Sequence, residues 1–211
     1  WQTGGRGRRG RAWHAGIGSS LTFSLLWRFE QGALHLSALS LAVGVALVRA
    51  LRQLGVENVR LKWPNDVIHL HHKLAGVLIE LEGDVLGPSV AIIGVGVNIR
   101  LPQTLRANID QAVTDVETLT GAFTDRNAAL ATLLTHLVSV LEAYAQEGFA
   151  PIKQEWLEQH AYQGRDVWLQ LPKGERQAGA VVGVADDGSL LLATEQGQKS
   201  YTVGEISMRA N

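Results

Sequence analysis

Apolar side chains follow two rhythms along this chain, and the change from one to the other marks out its elements. Leu21, Phe23, Leu25, Trp27 and Phe29 occupy alternate positions, the period of a half-buried strand over residues 21–29. From Leu39 to Leu54 the apolar residues fall at helical spacing, with Ser37 placed to cap the helix and Gly55 placed to end it. Residues 58–63, 67–70, 74–82 and 89–99 are short β-rich runs divided by Pro64-Asn65-Asp66, Gly83-Asp84 and Gly87-Pro88, which predicts a sheet. Asp125 opens a long amphipathic helix that carries Leu130, Leu133, Leu134, Leu137, Leu141 and Tyr144 on one face and ends at Gly148. A shorter helix over residues 150–160 follows it.

After Gly164 the rhythm returns to period two. Val167, Leu169 and Leu171 alternate, Asp187-Gly188 supplies a turn, and Leu190, Leu192, Tyr201 and Val203 continue the pattern. This predicts a small β-barrel of roughly 45–50 residues, a size that is marginal alone and is expected to pack on a larger unit. The expected division is therefore a domain of α/β (α+β) class over residues 1–162 and a β domain over 163–211.

Composition narrows the function classes. The chain has 211 residues, 46% hydrophobic and 18% charged, enough to bury a core. Its net charge of −1 gives no global electrostatic case for nucleic acid or membrane binding. Positive charge is instead local, with Arg6, Arg8, Arg9 and Arg11 crowded among glycines. The absence of cysteine excludes disulfides, thiolate metal sites and cysteine nucleophiles, and fits a reducing cytoplasm, the expected location. The apolar run from Leu39 is broken by Arg49 and Arg52, so no membrane span is expected, and no signal peptide is visible. The chain opens at Trp1 rather than Met, so a preceding segment in the natural gene is expected.

Three segments carry candidate chemistry. Gly5-Arg-Gly-Arg-Arg-Gly10 has the spacing of a dinucleotide-binding loop, but no helix start follows it. Arginines at its variable positions point instead to clamping of an anion, since glycines admit a ligand close to the backbone and guanidinium forks bind phosphate oxygens. The alternative is a solvated basic loop. Lys62-Trp-Pro-Asn-Asp66 precedes Lys73-Leu-Ala-Gly-Val-Leu-Ile-Glu80; across a strand-turn-strand the two ammonium groups can converge on one anion, with Asp66 holding a lysine or a magnesium ion. The alternative is a pair of ordinary surface lysines. Gly94-Val-Gly-Val-Asn98 puts glycines on alternate strand positions, the mark of a bulge, of close packing or of room left for a ligand. His69, His71 and His72 have no acidic partner at ligand spacing and read as a polar hairpin tip.

In this order, GRGRRGRxW, KWPND, KLAGxLxE and GxGxN resemble the signature of biotin protein ligases, and the similarity runs through the C-terminal β segment. The resemblance implies a catalytic domain related to class II synthetases, with a mixed sheet, followed by an SH3-like barrel. It implies biotin and Mg-ATP as substrates, a biotinyl-5′-AMP intermediate, and transfer to a lysine of a biotin carrier protein such as that of acetyl-CoA carboxylase. Lys73, Arg8 and Lys62 would then be catalytic. Gln2, Gly5, Arg6, Gly7, Arg8, Lys73, Gly76, Leu78 and Gly94 would form the biotin pocket. Arg6, Arg8, Trp13, Asn65 and Asn98 would meet the nucleotide, and Asp66 a magnesium ion. A homodimer is compatible with the family. The upstream Ser-Thr strand and the N-terminal helix-turn-helix of some members do not occur within these residues, so no DNA binding is assigned to them. The rivals are a lipoate protein ligase, which shares the adenylate chemistry; a nucleic-acid-binding module that uses Arg6 to Arg11; and an inactive fragment that keeps an interaction surface.

Overall fold

The computed structural model describes residues 2–171, 175–202 and, in backbone only, 207–210. The first five strands, β1 (Ser20–Phe29), β2 (Val59–Lys62), β3 (Asp66–His69), β4 (His72–Gly83) and β5 (Ser89–Asn98), form one sheet in the order β1-β5-β4-β3-β2. Each ladder in it is antiparallel, which corrects the expectation of a mixed sheet. The reason is local: β2 to β5 are joined by short turns, and only antiparallel neighbours can be joined that way. Parallel pairing among the described residues is confined to isolated bridges, Leu61 to His160 and Lys73 to Val113.

One helix fills the covered face of this sheet. In α1 (Leu39–Gln53), Leu39 and residues 41–48 are all buried. Gly55, at φ +84°, ends it as expected, with Gly55 N–H donating to Arg52 O at 3.0 Å and Val56 N–H to Leu51 O at 2.9 Å. Ser37 does not cap it. A 3-10 turn over Ala33–Leu36 runs into the helix, whose N-cap is Ala38 with no side-chain bond.

The short helices α2 (Gln103–Arg106) and α3 (Val116–Thr120) follow β5. Next, α4 (Arg126–Glu147) is capped by Asp125, whose carboxylate accepts from the Asn127 and Ala128 amides, and it lays Leu133, Leu137, Leu141 and Tyr144 against α1. Segments Ala33–Gln53 and Arg126–Glu147 have the length and apolar content of membrane spans, because Arg49 and Arg52 interrupt the first only near its end; it is 72% buried within the protein. After α5 (Ala150–Gln159), β6 (Asp166–Gln170), β7 (Arg176–Val184), β8 (Leu190–Thr194), β9 (Gly197–Tyr201) and β10 (Ser207–Ala210) form a second antiparallel sheet, ordered β10-β6-β7-β8-β9. Its inner layer is Val167, Leu169, Val181, Leu190 and Leu192, while Val203 lies outside the described residues.

The two sheets are tied together by named contacts. Trp63 Nε1 donates to Gly188 O at 2.9 Å, Lys153 pairs with Asp186 at 2.7 Å, and Ala161 N–H donates to Leu61 O at 2.8 Å. Gly188, at φ +80°, sits so close to the start of α1 that a Cβ there would stand 2.9 Å from Ala38 Cα.

Candidate active site

The uncovered face of the first sheet carries a cleft of about 630 Å³. Its floor follows from strand register. Thr22, Gly96, Gly76, Asp66 and Lys62 lie opposite one another across β1, β5, β4, β3 and β2, and Ser24, Gly94 and Leu78 form the next such row. Directly opposed residues share a face. Two glycines in the centre of one row therefore leave a trough with polar residues at both ends.

That trough is filled by two side chains. Lys73 Nζ reaches Asp66 Oδ1 at 2.7 Å, with both side chains largely covered. A Cβ on Gly76 would stand 3.1 Å from Lys73 Cε and 3.2 Å from its Nζ, so the missing side chain is what lets the lysine lie across the strand. The Trp13 indole fills the gap above Gly96, where a Cβ would fall 2.4 Å from the ring. Lys73 Nζ stands 5.7 Å from that ring's centroid, within cation–π range. Trp13 Nε1 is buried without a hydrogen-bond partner, a donor left over for an acceptor brought by a ligand.

The arginine-glycine segment forms the rim. It closes as a hairpin, with Arg6 bridged to Ala12, Gly7 N–H donating to Arg11 O at 2.7 Å and Trp13 N–H to Gly5 O at 2.8 Å. Only a 3-10 turn at Arg8–Gly10 occurs there and no α-helix begins, which removes the dinucleotide-loop reading. Gly5 is required for the closure, since a Cβ would lie 2.5 Å from Trp13 O. Arg6, Gly7, Arg8 and Gln2 line the cleft. Arg8 Nη1 donates to Asn65 Oδ1 at 3.4 Å. Burial lowers the Arg8 pKa, and Arg9 beside it acts in the same direction, with Asp66 opposing. An anion in the cleft would offset both effects.

The turn between β2 and β3 carries the remaining groups. Its Trp63–Pro64 peptide is cis, and Asn65 is held by its Nδ2 on Val77 O at 2.6 Å. Lys62, Asn65 and Asp66 all line the cleft. Asn98 does not. It is buried behind Lys73, with Nδ2 donating to Thr114 O at 3.1 Å and to Lys73 O at 3.4 Å. Gly5 also lies outside the lining and acts through the loop's shape. The histidines sit as expected of a hairpin tip, His69 Nδ1 meeting Glu57 O at 3.1 Å, and no cluster of three potential metal ligands occurs among the described residues.

Gly96 and Gln111 are cleft residues that the sequence reading did not single out. The alternation that points to Gly94 points equally to Gly96. Gln111 lies in an aperiodic loop that carries no signal.

Comparison with known proteins follows this geometry. The Biotin/lipoate A/B protein ligase family matches residues 1–98, and the Biotin protein ligase C terminal domain matches residues 164–209. The bifunctional ligase/repressor BirA of Escherichia coli is 36% identical over 211 residues, all of this chain and 65% of its own length. The chain thus spans about two-thirds of the BirA relatives it matches. The biotin--[acetyl-CoA-carboxylase] ligase of Paracoccus denitrificans is 32% identical, over 97% of this chain and 86% of that protein. Among solved structures, the biotin protein ligase from Aquifex aeolicus in complex with biotin and ATP superposes with a TM-score of 0.83 at 32% identity, covering all of this chain and 86% of that one. Taken with the cleft, these matches show that the chain belongs to the biotin protein ligase family.

Proposed function

We propose that this chain biotinylates a lysine of a biotin carrier protein at the expense of ATP. The supporting observation is the Lys73–Asp66 pair lying in the glycine trough beneath an arginine rim. Joining a carboxylate to a polyphosphate brings two anions together, and fixed cations in a part-buried cleft offset that repulsion. The biotin carboxylate attacks the α-phosphorus and pyrophosphate leaves. A carrier amine then attacks the acyl carbon, loses its proton, and AMP leaves.

In this reading Lys73 contacts the reacting carboxylate and α-phosphate, with Arg8 and Lys62 adding positive charge. Gln2, Gly5, Arg6, Gly7, Gly76, Leu78 and Gly94 shape the biotin pocket. Trp13 stacks on adenine and offers its free Nε1–H, while Arg6 and Asn65 meet phosphate and sugar. Asn98 serves the nucleotide from behind, through the Lys73 backbone it binds. Magnesium fits as an ion carried by ATP. Asp66 supplies one carboxylate, and phosphate and water complete a shell for which the described residues hold no protein cage. The division at 162/163, a carrier domain as partner and a cytoplasmic setting belong to the same reading.

Biotin-dependent exchange of labelled pyrophosphate into ATP tests the first step. Exchange with biotin but not lipoate is expected; exchange with lipoate alone would move the chain to the lipoate ligases.

A further inference from the structure

The segment between β5 and α4 contributes only Gln111 to the cleft wall, yet it holds the backbone of the lysine at its centre. β5 pairs with β4 from Ala75 onward, so Lys73 lies beyond the end of that ladder. Residues 112–114 occupy the empty edge. Lys73 N–H donates to Ala112 O at 2.9 Å, and Thr114 N–H donates to Lys73 O at 3.0 Å.

Beside the Asn98 amide, which donates to Thr114 O at 3.1 Å, one guanidinium ties this substitute strand to the rest of the loop. Arg106, in α2, donates through Nε to Leu101 O at 3.2 Å, through Nη1 to Val113 O at 3.2 Å, and through Nη2 to Thr118 Oγ1 at 3.0 Å and to the Asp115 carboxylate. Asp115 accepts in turn from the amides of Leu101 at 2.9 Å and Thr118 at 2.8 Å. Its side chain is only 2% exposed, so the ion pair lies in partly desolvated surroundings where it is hydrogen-bonded on every side. Both ends of the loop, at Leu101 and at Val113 to Asp115, are therefore tied to one fork. A lysine cannot reproduce this, because a compact ammonium has no planar array of donors to serve acceptors on three sides.

We infer that Arg106 and Asp115 are positioning residues that press the 112–114 segment against Lys73 and so set the place of its ammonium group in the cleft. The inference rests on the ligase reading of Lys73. Displacing a reacting group by an ångström costs up to about a hundredfold in rate.

The test uses the full 211-residue chain carrying Arg106→Met, Arg106→Lys or Asp115→Asn, the last retaining the α3 cap while removing the ion pair. Amide hydrogen exchange at Lys73 and Thr114 and biotin-dependent ATP–pyrophosphate exchange are measured below the melting temperature of each variant. Arg106→Met is expected to expose both amides and to lower kcat roughly ten- to hundredfold with little change in the KM for biotin. Arg106→Lys should fall between. Gln103→Ala, on the exposed side of α2, should match the unaltered chain. Unchanged protection of both amides, or full kcat with the clamp broken, would overturn the inference. Should Arg106→Met not fold, Asp115→Asn carries the same two expectations. Absence of exchange in the unaltered chain would instead overturn the ligase reading, while the amide protection still reports whether the clamp holds Lys73.

Discussion

Lys73 owes its position to its neighbours: Asp66 fixes its ammonium, Gly76 leaves it room, and residues 112–114 hold its backbone. Replacing it removes a preorganised charge and leaves Asp66 without its partner. Lys73→Ala is expected to lower adenylate formation by about 10²–10³-fold, in line with the loss of one electrostatic donor at a reacting centre, with the fold intact by circular dichroism. Normal turnover in this variant would remove Lys73 from the mechanism. Gly96 is the second residue whose value lies in what it lacks. In Gly96→Ala the new methyl would collide with the Trp13 ring, so the indole must leave the trough. The expected result is a rise in the KM for ATP and a red shift in tryptophan emission; an unaltered KM would count against stacking of Trp13 on adenine.

Among the elements, α5 ends in a group that responds to pH. His160 is buried, stacked on Trp156 at 4.5 Å between centroids, and neither ring nitrogen has a hydrogen-bond partner. Burial pushes its pKa down to about 3 from an ordinary 6.5. The folded state therefore prefers neutral imidazole. This contribution is fully present above pH 6.5 and is lost progressively as pH falls from there towards 3, by up to roughly 1.4 kcal/mol per pH unit. Urea unfolding of the chain and of His160→Phe across pH 7 to 4 should show the unaltered chain losing stability relative to the variant on the acid side; parallel curves would contradict it. At the other end of the helical layer, Asp125→Ala is expected to cost about 1 kcal/mol through loss of the α4 cap.

These elements also show what sequence periodicity carries. β1, α1 and α4 were legible because each is long enough for its rhythm to repeat, and the cap at Asp125 because a carboxylate precedes an apolar-periodic run. Ser37 misled because a 3-10 turn precedes α1, and its hydrogen bonds replace a side-chain cap. α2 and α3, of four and five residues, are too short to show a period. The site's Gly, Arg and Lys were legible because they crowd into three short segments. The Arg106–Asp115 clamp was not, since its partners sit in an aperiodic loop and meet only after folding.

On the scale of the whole molecule, the turn between β2 and β3 is anchored to the turn between β7 and β8. Trp63, buried at 1% exposure, spends its only polar atom on Gly188 O, and the next residues are Pro64, Asn65 and Asp66. Trp63→Phe keeps most of the ring and removes the N–H, leaving a buried carbonyl unpaired at a cost of about 1–3 kcal/mol. A lower melting temperature together with reduced adenylate formation is expected; a loss of stability at full activity would mean that the C-terminal unit supports the fold without ordering the turn. The central claim, that the glycine trough with Lys73 joins biotin to a carrier through an adenylate, is tested most directly by transfer itself. The chain is incubated with Mg-ATP, labelled biotin and a biotin carrier domain, beside lipoate and Lys73→Ala controls, and label on the carrier is counted. The account predicts label that requires biotin, ATP and Lys73; label independent of Lys73, or label from lipoate and not from biotin, would contradict it.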